Sequence, residues 1–193
     1  MVKYDTTRSD KIVNRFLNRT QKLKQIQMNF SGTCETDIDS YFALLCPARE
    51  ADWIPGWNAE VLHSDNGGKT AIDCIFRTDK SNVFGEGIWI ITAVVKNEYV
   101  DLVRVHENLV MHLKVNVKAN DDGTVTGTWN IVASALNQKG NKEVAKLKKH
   151  VDIERVLPKI IEHYLKTGKQ INKASLGVSI VADKVKNLIS SGH

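Results

Sequence analysis

Cysteine is scarce in this chain and cannot all pair off. Cys34, Cys46 and Cys74 are odd in number and share no ligand-like spacing. A disulfide-stapled scaffold is therefore not expected, and reduced thiols in the cytoplasm fit best. Long apolar runs are missing as well. None approaches the roughly 18 residues of a membrane-crossing helix, and the opening MVKYDTTRSD lacks the apolar core of a signal peptide, so export is not expected. Catalytic and cofactor signatures are equally thin. GEGIWI (85–90) lacks the third glycine and the preceding strand of a dinucleotide fingerprint, and neither a phosphate-binding loop nor a G-x-S-x-G elbow occurs. Histidines 63, 106, 112, 150, 163 and 193 make no metal-binding cluster, and no cysteine has an evident helper histidine. No metal and no cofactor is expected. Proline is rare too, yet two of the three, Pro47 and Pro55, stand in CPAREADWIPGW (46–57) beside two of the four tryptophans.

What remains is an ordinary globular composition, 42% apolar and 25% charged, in a chain long enough to bury a core without staples. The formal charge of +5 is segregated: residues 1–25 carry +5, residues 137–193 carry +7, and the stretch between them −7. Basic ends read either as solubilising charge on terminal helices or as a weak contact with an anionic membrane through residues 8–24. No nucleic-acid partner is expected.

Periodicity divides the chain. DKIVNRFLNRTQKL (10–23) is an amphipathic helix by spacing. KQIQMNF (24–30) alternates as a half-buried strand, and TDIDSYFALL (36–45) reads as a helix capped by Thr36 and stopped by Pro47, with Asp37 and Asp39 favouring its positive end. Strands follow at 57–63, 70–78, 87–96, 99–106, 109–118 and 124–134, joined by short turns that make antiparallel neighbours. From Asn141 to Lys166 apolar residues recur every three or four positions, predicting one helix of about 39 Å, kinked at Pro158 and ended by Gly168. A further short helix is expected over 176–190.

A strand, a helical segment, six strands and a long terminal helix is the order of the α+β helix-grip fold, a seven-stranded curled antiparallel sheet around the helix with an internal cavity. The motif Cys46, Pro47, Arg49, Glu50, Trp53, Ile54, Pro55, Gly56 and Trp57 resembles the signature of a bacterial branch of the START-like (SRPBCC) superfamily. Phe76, Thr78, Trp89, Trp129 and HYLKTG (163–168) extend the resemblance, which spans about residues 24–168. Residues 1–23 read as a basic extension and 169–193 as a helical tail. The superfamily includes lipid and sterol carriers, polyketide cyclases and the birch pollen allergen, and the fold alone does not choose among them.

Strand alternation sorts residues between the cavity and the outside. Met111, Leu113, Val115 and Val117 face in, as do Val100, Leu102, Arg104 and His106, with Trp129 beside Gly127, and with Ile72, Cys74 and Phe76 sharing a face. The expected ligand-contacting set is Trp53, Trp57, Phe76, Trp89, Leu102, Arg104, His106, Met111, Leu113, Trp129, Leu157 and Ile161. An apolar lining with one or two polar groups suits a small hydrophobic ligand, lipid-like or aromatic. Arg104 could orient an acidic group or pair internally with Glu50. His106 could move a proton or sit at an exposed strand end. Pro47, Pro55 and Gly56 are expected to stiffen a loop that sets Trp53 and Trp57 at the cavity mouth, with Arg49 and Glu50 clamping it. Three functions stand open: carriage of a hydrophobic ligand, cyclase or dehydratase chemistry through His106 or Arg104, and an interaction module acting through the basic termini.

Overall fold

The computed structural model describes residues 22–172 except 66, 68, 81, 83, 84, 150 and 151, and for 148, 149 and 152–155 the backbone alone. The expected helices over 10–23, apart from its last two residues, and 176–190 lie outside the described residues, as does most of the 8–24 stretch expected at a membrane.

Strand β1 (Gln25–Glu35) is followed by helix α1 (Ile38–Ala43), the single turn α2 (Glu50–Trp53), strands β2 (Ala59–His63), β3 (Ile75–Thr78), β4 (Gly87–Val95), β5 (Tyr99–Val105), β6 (Leu109–Ala119) and β7 (Thr124–Ala135), then helices α3 (Gln138–Lys149) and α4 (Asp152–Thr167). The strands form one antiparallel sheet in the order β1-β7-β6-β5-β4-β3-β2. Period-two alternation decides which face is dry. Leu109, Met111, Leu113, Val115 and Val117 of β6 are buried, as are Val125, Trp129, Ile131 and Ala133 of β7 and Val100, Leu102 and Arg104 of β5. The register Phe30↔Trp129 adds β1 to the same face, and the two rings stack 5.3 Å apart at 11°.

Two glycines seat the elements that cover this face. Gly32 of β1 lies directly opposite Gly127 of β7. A Cβ on Gly32 would lie 2.3 Å from Cβ of Pro158, and one on Gly127 would lie 2.0 Å from Oη of Tyr41. The paired notch lets α4 and the α1 tyrosine approach the sheet more closely than any side chain would allow.

Several boundaries differ from the sequence reading, each for a local reason. β1 runs on to Glu35, because its pairing with β7 continues through Glu35↔Thr124. Helix α1 is capped by Asp37, whose carboxylate accepts from the Ser40 amide at 2.8 Å, and not by Thr36. The third strand starts at Ile75 rather than residue 70, since Asp73 adopts φ 62° and turns the chain, leaving Ile72 exposed instead of sharing the face of Cys74 and Phe76. The long terminal helix is described in two stretches, α3 and α4, on either side of residues 150 and 151, which lie outside the described residues. Helix α4 continues through Pro158 and ends at Gly168, whose φ of 64° and amide bond to Tyr164 O make a left-handed cap. Helix α3 also begins earlier than Asn141. Asn137 Oδ1 accepts from the Gly140 amide at 2.9 Å, and that first turn requires glycine at 140 because a Cβ there would strike Asn108 O at 2.0 Å.

Tyr41, Trp53, Phe76, Trp89, Ile91, Met111, Ile131, Leu157 and Ile161 are all within 2% of complete burial. Side chains thus occupy the middle of the space between sheet and helix, and open volume lined by described residues lies at its ends.

Candidate ligand-binding cleft

The cleft at the Arg104 end has a volume of about 640 Å³ and is lined by the segment before β4, the β5–β6 turn and α3. Its construction starts at Thr78, whose hydroxyl donates to Gly85 O (2.8 Å) and accepts from the Trp89 indole N–H (3.0 Å). That one buried hydroxyl fixes both the loop and the ring. Arg104 is the cross-strand partner of Trp89, with its guanidinium carbon 6.0 Å from the ring centroid, at the outer limit of a cation–π contact. The guanidinium donates to Glu86 O and fits against Gly87, where a Cβ would come within 2.8 Å of Nε. Gly85 has φ 79°, and a Cβ there would lie 3.3 Å from Nη2. The Gly85-Glu86-Gly87 stretch, useless as a dinucleotide fingerprint, is a cradle for this arginine. Its glycine–x–glycine spacing next to a strand was the signal in the sequence, but without the register nothing pointed it at Arg104.

Arg104 is 4% exposed, and among the described residues its Nε has no hydrogen-bond partner. Burial lowers its pKa, while Glu143 and Glu86 act in the opposite sense. His106 stands just past the end of β5, half-buried, with Nδ1 3.8 Å from Glu143 Oε2. The other oxygen of Glu143 accepts from Asn108 Nδ2 at 2.8 Å, and Asn137 in turn donates to Asn108 Oδ1 at 3.0 Å. Leu109 and Leu147 supply apolar wall, and Lys80 and Lys146 complete the lining. Three permanent cations thus face two carboxylates. The site can hold a small apolar body and offer charge-assisted donors to an acidic group.

Of the twelve residues expected to touch a ligand, Arg104 and His106 line this cleft; the other ten sit elsewhere. Trp57, Phe76 and Trp89 form an aromatic row leading to Arg104, with centroids 6.4 Å and then 5.7 Å apart, the latter pair stacked at 4°. Leu102, Met111, Leu113, Trp129, Leu157 and Ile161 lie in the buried cluster. Trp53 is buried too, and the loop carrying it closes on itself: the Trp53 indole donates to Leu44 O (2.8 Å) and the Trp57 indole to Pro47 O (2.9 Å). Gly56 takes φ 80°. The crowding of proline and tryptophan in 46–57 therefore makes a self-stapled plug whose rings point inward.

Two expected pairings are replaced. Arg49 bridges Asp52 at 3.1 Å, not Glu50, and Arg104 meets Glu86 O, not Glu50. Glu50, with no ion pair among the described residues, is pushed up to about 8 by burial. Among the described residues no three His, Cys, Asp or Glu side chains gather as metal ligands, and no helix is long and apolar enough to cross a membrane.

No protein-family model matches the sequence, and no curated protein matches it. Solved structures do. The chain is similar to Ara h 8.0201, with a TM-score of 0.53 and 15% identity over 75% of this chain and 99% of that one. It is similar to norcoclaurine synthase from Thalictrum flavum in complex with dopamine and hydroxybenzaldehyde, with a TM-score of 0.56 and 10% identity over 76% and 90%. It also matches DynU16, a protein of the dynemicin biosynthetic locus, with a TM-score of 0.50 and 16% identity over 74% of this chain and 48% of that one. The chain has the helix-grip fold. At these identities the likeness speaks for the fold of the START-like, birch-pollen-allergen-like group and for nothing finer. In helix-grip terms, Arg104 and His106 stand at the end of the grip where β5 meets the start of α3.

Proposed function

We propose that the protein binds a small, largely apolar molecule carrying one acidic or strongly accepting group, at the cleft where Arg104 and His106 meet. The observation that carries this is the buried Arg104. A guanidinium this dry is costly to maintain, yet the chain devotes two glycines, a tryptophan face and a loop carbonyl to holding it at the floor of an open cleft. That arrangement suits an oriented anion or acceptor better than it suits packing. The fold neighbours support the reading to the extent that norcoclaurine synthase, named for its activity, was solved with two small aromatic molecules. Mass spectrometry of protein purified under non-denaturing conditions tests it: one added apolar molecule per chain in wild type and its loss in Arg104→Gln is expected. Native chain with no added mass and no uptake of anilinonaphthalene sulfonate would count against it.

A second reading, catalysis of the cyclase or dehydratase type, is favoured by one geometry. His106 stands 3.8 Å from a carboxylate whose other oxygen Asn108 holds, so a modest closure would make a working acid–base pair. A His106→Ala variant that binds ligand but no longer turns it over would support this reading, and unchanged turnover would remove it.

A further inference from the structure

A second cleft lies at the opposite end of the grip. Its volume is about 860 Å³, and it is lined by α1, the segment joining α1 to α2, the approach to β3 and the far end of β4. Gly87 marks the Arg104 end of β4 and Val94 the other, about 23 Å apart at strand rise. Val94 pairs with Val100, which is fully buried, so this cleft also opens on the core side of the sheet.

Chemistry divides it in two. Phe42 (7% exposed) and Cys46 (8%) with Ala43 and Val94 make an apolar floor. The rim carries Arg49, Lys69 and Lys96 against a single carboxylate, Asp39, and all four are exposed. Asp39 is already engaged, by Lys96 at 2.7 Å and by Asn97 Nδ2 at 3.2 Å, and these contacts hold its pKa below the usual carboxylate range. Arg49 is engaged by Asp52 outside the cleft. Lys69 has no ion pair among the described residues. A neutral apolar molecule would cover the floor and leave this charge unused, and a cationic one would meet repulsion.

We infer that this second cleft binds an amphipathic anion, an alkyl or aryl chain on the Phe42, Ala43, Cys46 and Val94 floor with its acidic head at the Lys69 and Arg49 rim. The occupancy is independent of the Arg104 cleft, because the two share no lining residue.

Calorimetric titration of the full chain with dodecanoate, below its micelle concentration, tests the assignment. One saturable site is expected to persist in Arg104→Gln, where the other cleft has lost its guanidinium. Ala43→Phe, which fills the floor from a partly exposed position, should weaken it about tenfold or more, equivalent to about 1.4 kcal/mol. Lys69→Glu, on the exposed rim, should weaken it about fivefold or more, and wild-type affinity should fall with added salt. Dodecyltrimethylammonium should bind at least about tenfold more weakly than dodecanoate. The inference is overturned by absence of saturable dodecanoate binding, by equal affinity for the cationic detergent, or by a folded Lys69→Glu variant that binds as wild type. Loss of binding in Arg104→Gln with none in Ala43→Phe would overturn it too, by moving the anion to the other end of the grip.

Discussion

Replacing Gly127 by alanine would place a methyl group 2.0 Å from Oη of Tyr41 and 2.7 Å from its Cζ. Tyr41 is fully buried and cannot swing to solvent, so the sheet or α1 must give. Overpacking of this kind costs about 1–3 kcal/mol, which for a chain of this size lowers Tm by about 3–10 °C. The tyrosine hydroxyl has no hydrogen-bond partner among the described residues, and burial pushes its pKa well up, so it stays neutral. Tyr41→Phe alone should therefore be neutral or stabilising by up to about 1 kcal/mol. In the double variant the nearest clash disappears while the ring carbon remains close, so rescue should be partial, with a coupling of about 1 kcal/mol. Urea unfolding of the four proteins measures this. Strict additivity, or an alanine at 127 that costs nothing, would refute the seating of Tyr41 in the glycine notch.

Two further perturbations follow from buried charge. Glu50 has its folded pKa raised from 4.5 to about 8, so between these values the native chain holds a proton the unfolded chain has released, and stability falls as pH rises across that window. The full shift corresponds to about 5 kcal/mol, reduced to about 2–4 where water relaxes the site; Glu50→Gln should flatten the pH dependence and be the more stable protein at pH 8, and parallel curves for the two proteins would contradict this. Gly87→Ala should cost about 1–3 kcal/mol, because the new Cβ meets Arg104 Nε at 2.8 Å and Val105 O at 3.0 Å, and thermal melts should show only part of that loss returning when Arg104→Met is added.

The legible parts of the fold were those governed by local period. Strands β5, β6 and β7 alternate cleanly, so their buried residues, Arg104 included, could be assigned one by one. Gly168 announced its own left-handed cap. What was not legible depended on register or on the reach of a side chain. Nothing in the spacing of Gly32, Gly127, Pro158 and Tyr41 says they meet. Arg49 and Glu50 are neighbours in sequence, but on the turn of α2 the arginine reaches Asp52, three residues on, while Glu50 is half-buried with no ion pair among the described residues. Ile72 looked like strand because its neighbours are β-formers, and one residue at positive φ, Asp73, overrode them. Arg104 and His106 were recognisable as polar intruders on an apolar face; the Gly85–Gly87 cradle and the Asn108–Glu143 link needed coordinates.

The proposed cleft is tested most directly by following the Arg104 Nε–H resonance while anilinonaphthalene sulfonate is titrated into isotope-labelled full-length Ala43→Phe protein, in which the second cleft is filled. Binding at the Arg104 cleft should shift that resonance and the neighbouring Trp89 indole N–H together, saturating at one equivalent. Saturable binding that leaves both signals in place would contradict the assignment of Arg104 as the group that holds the ligand.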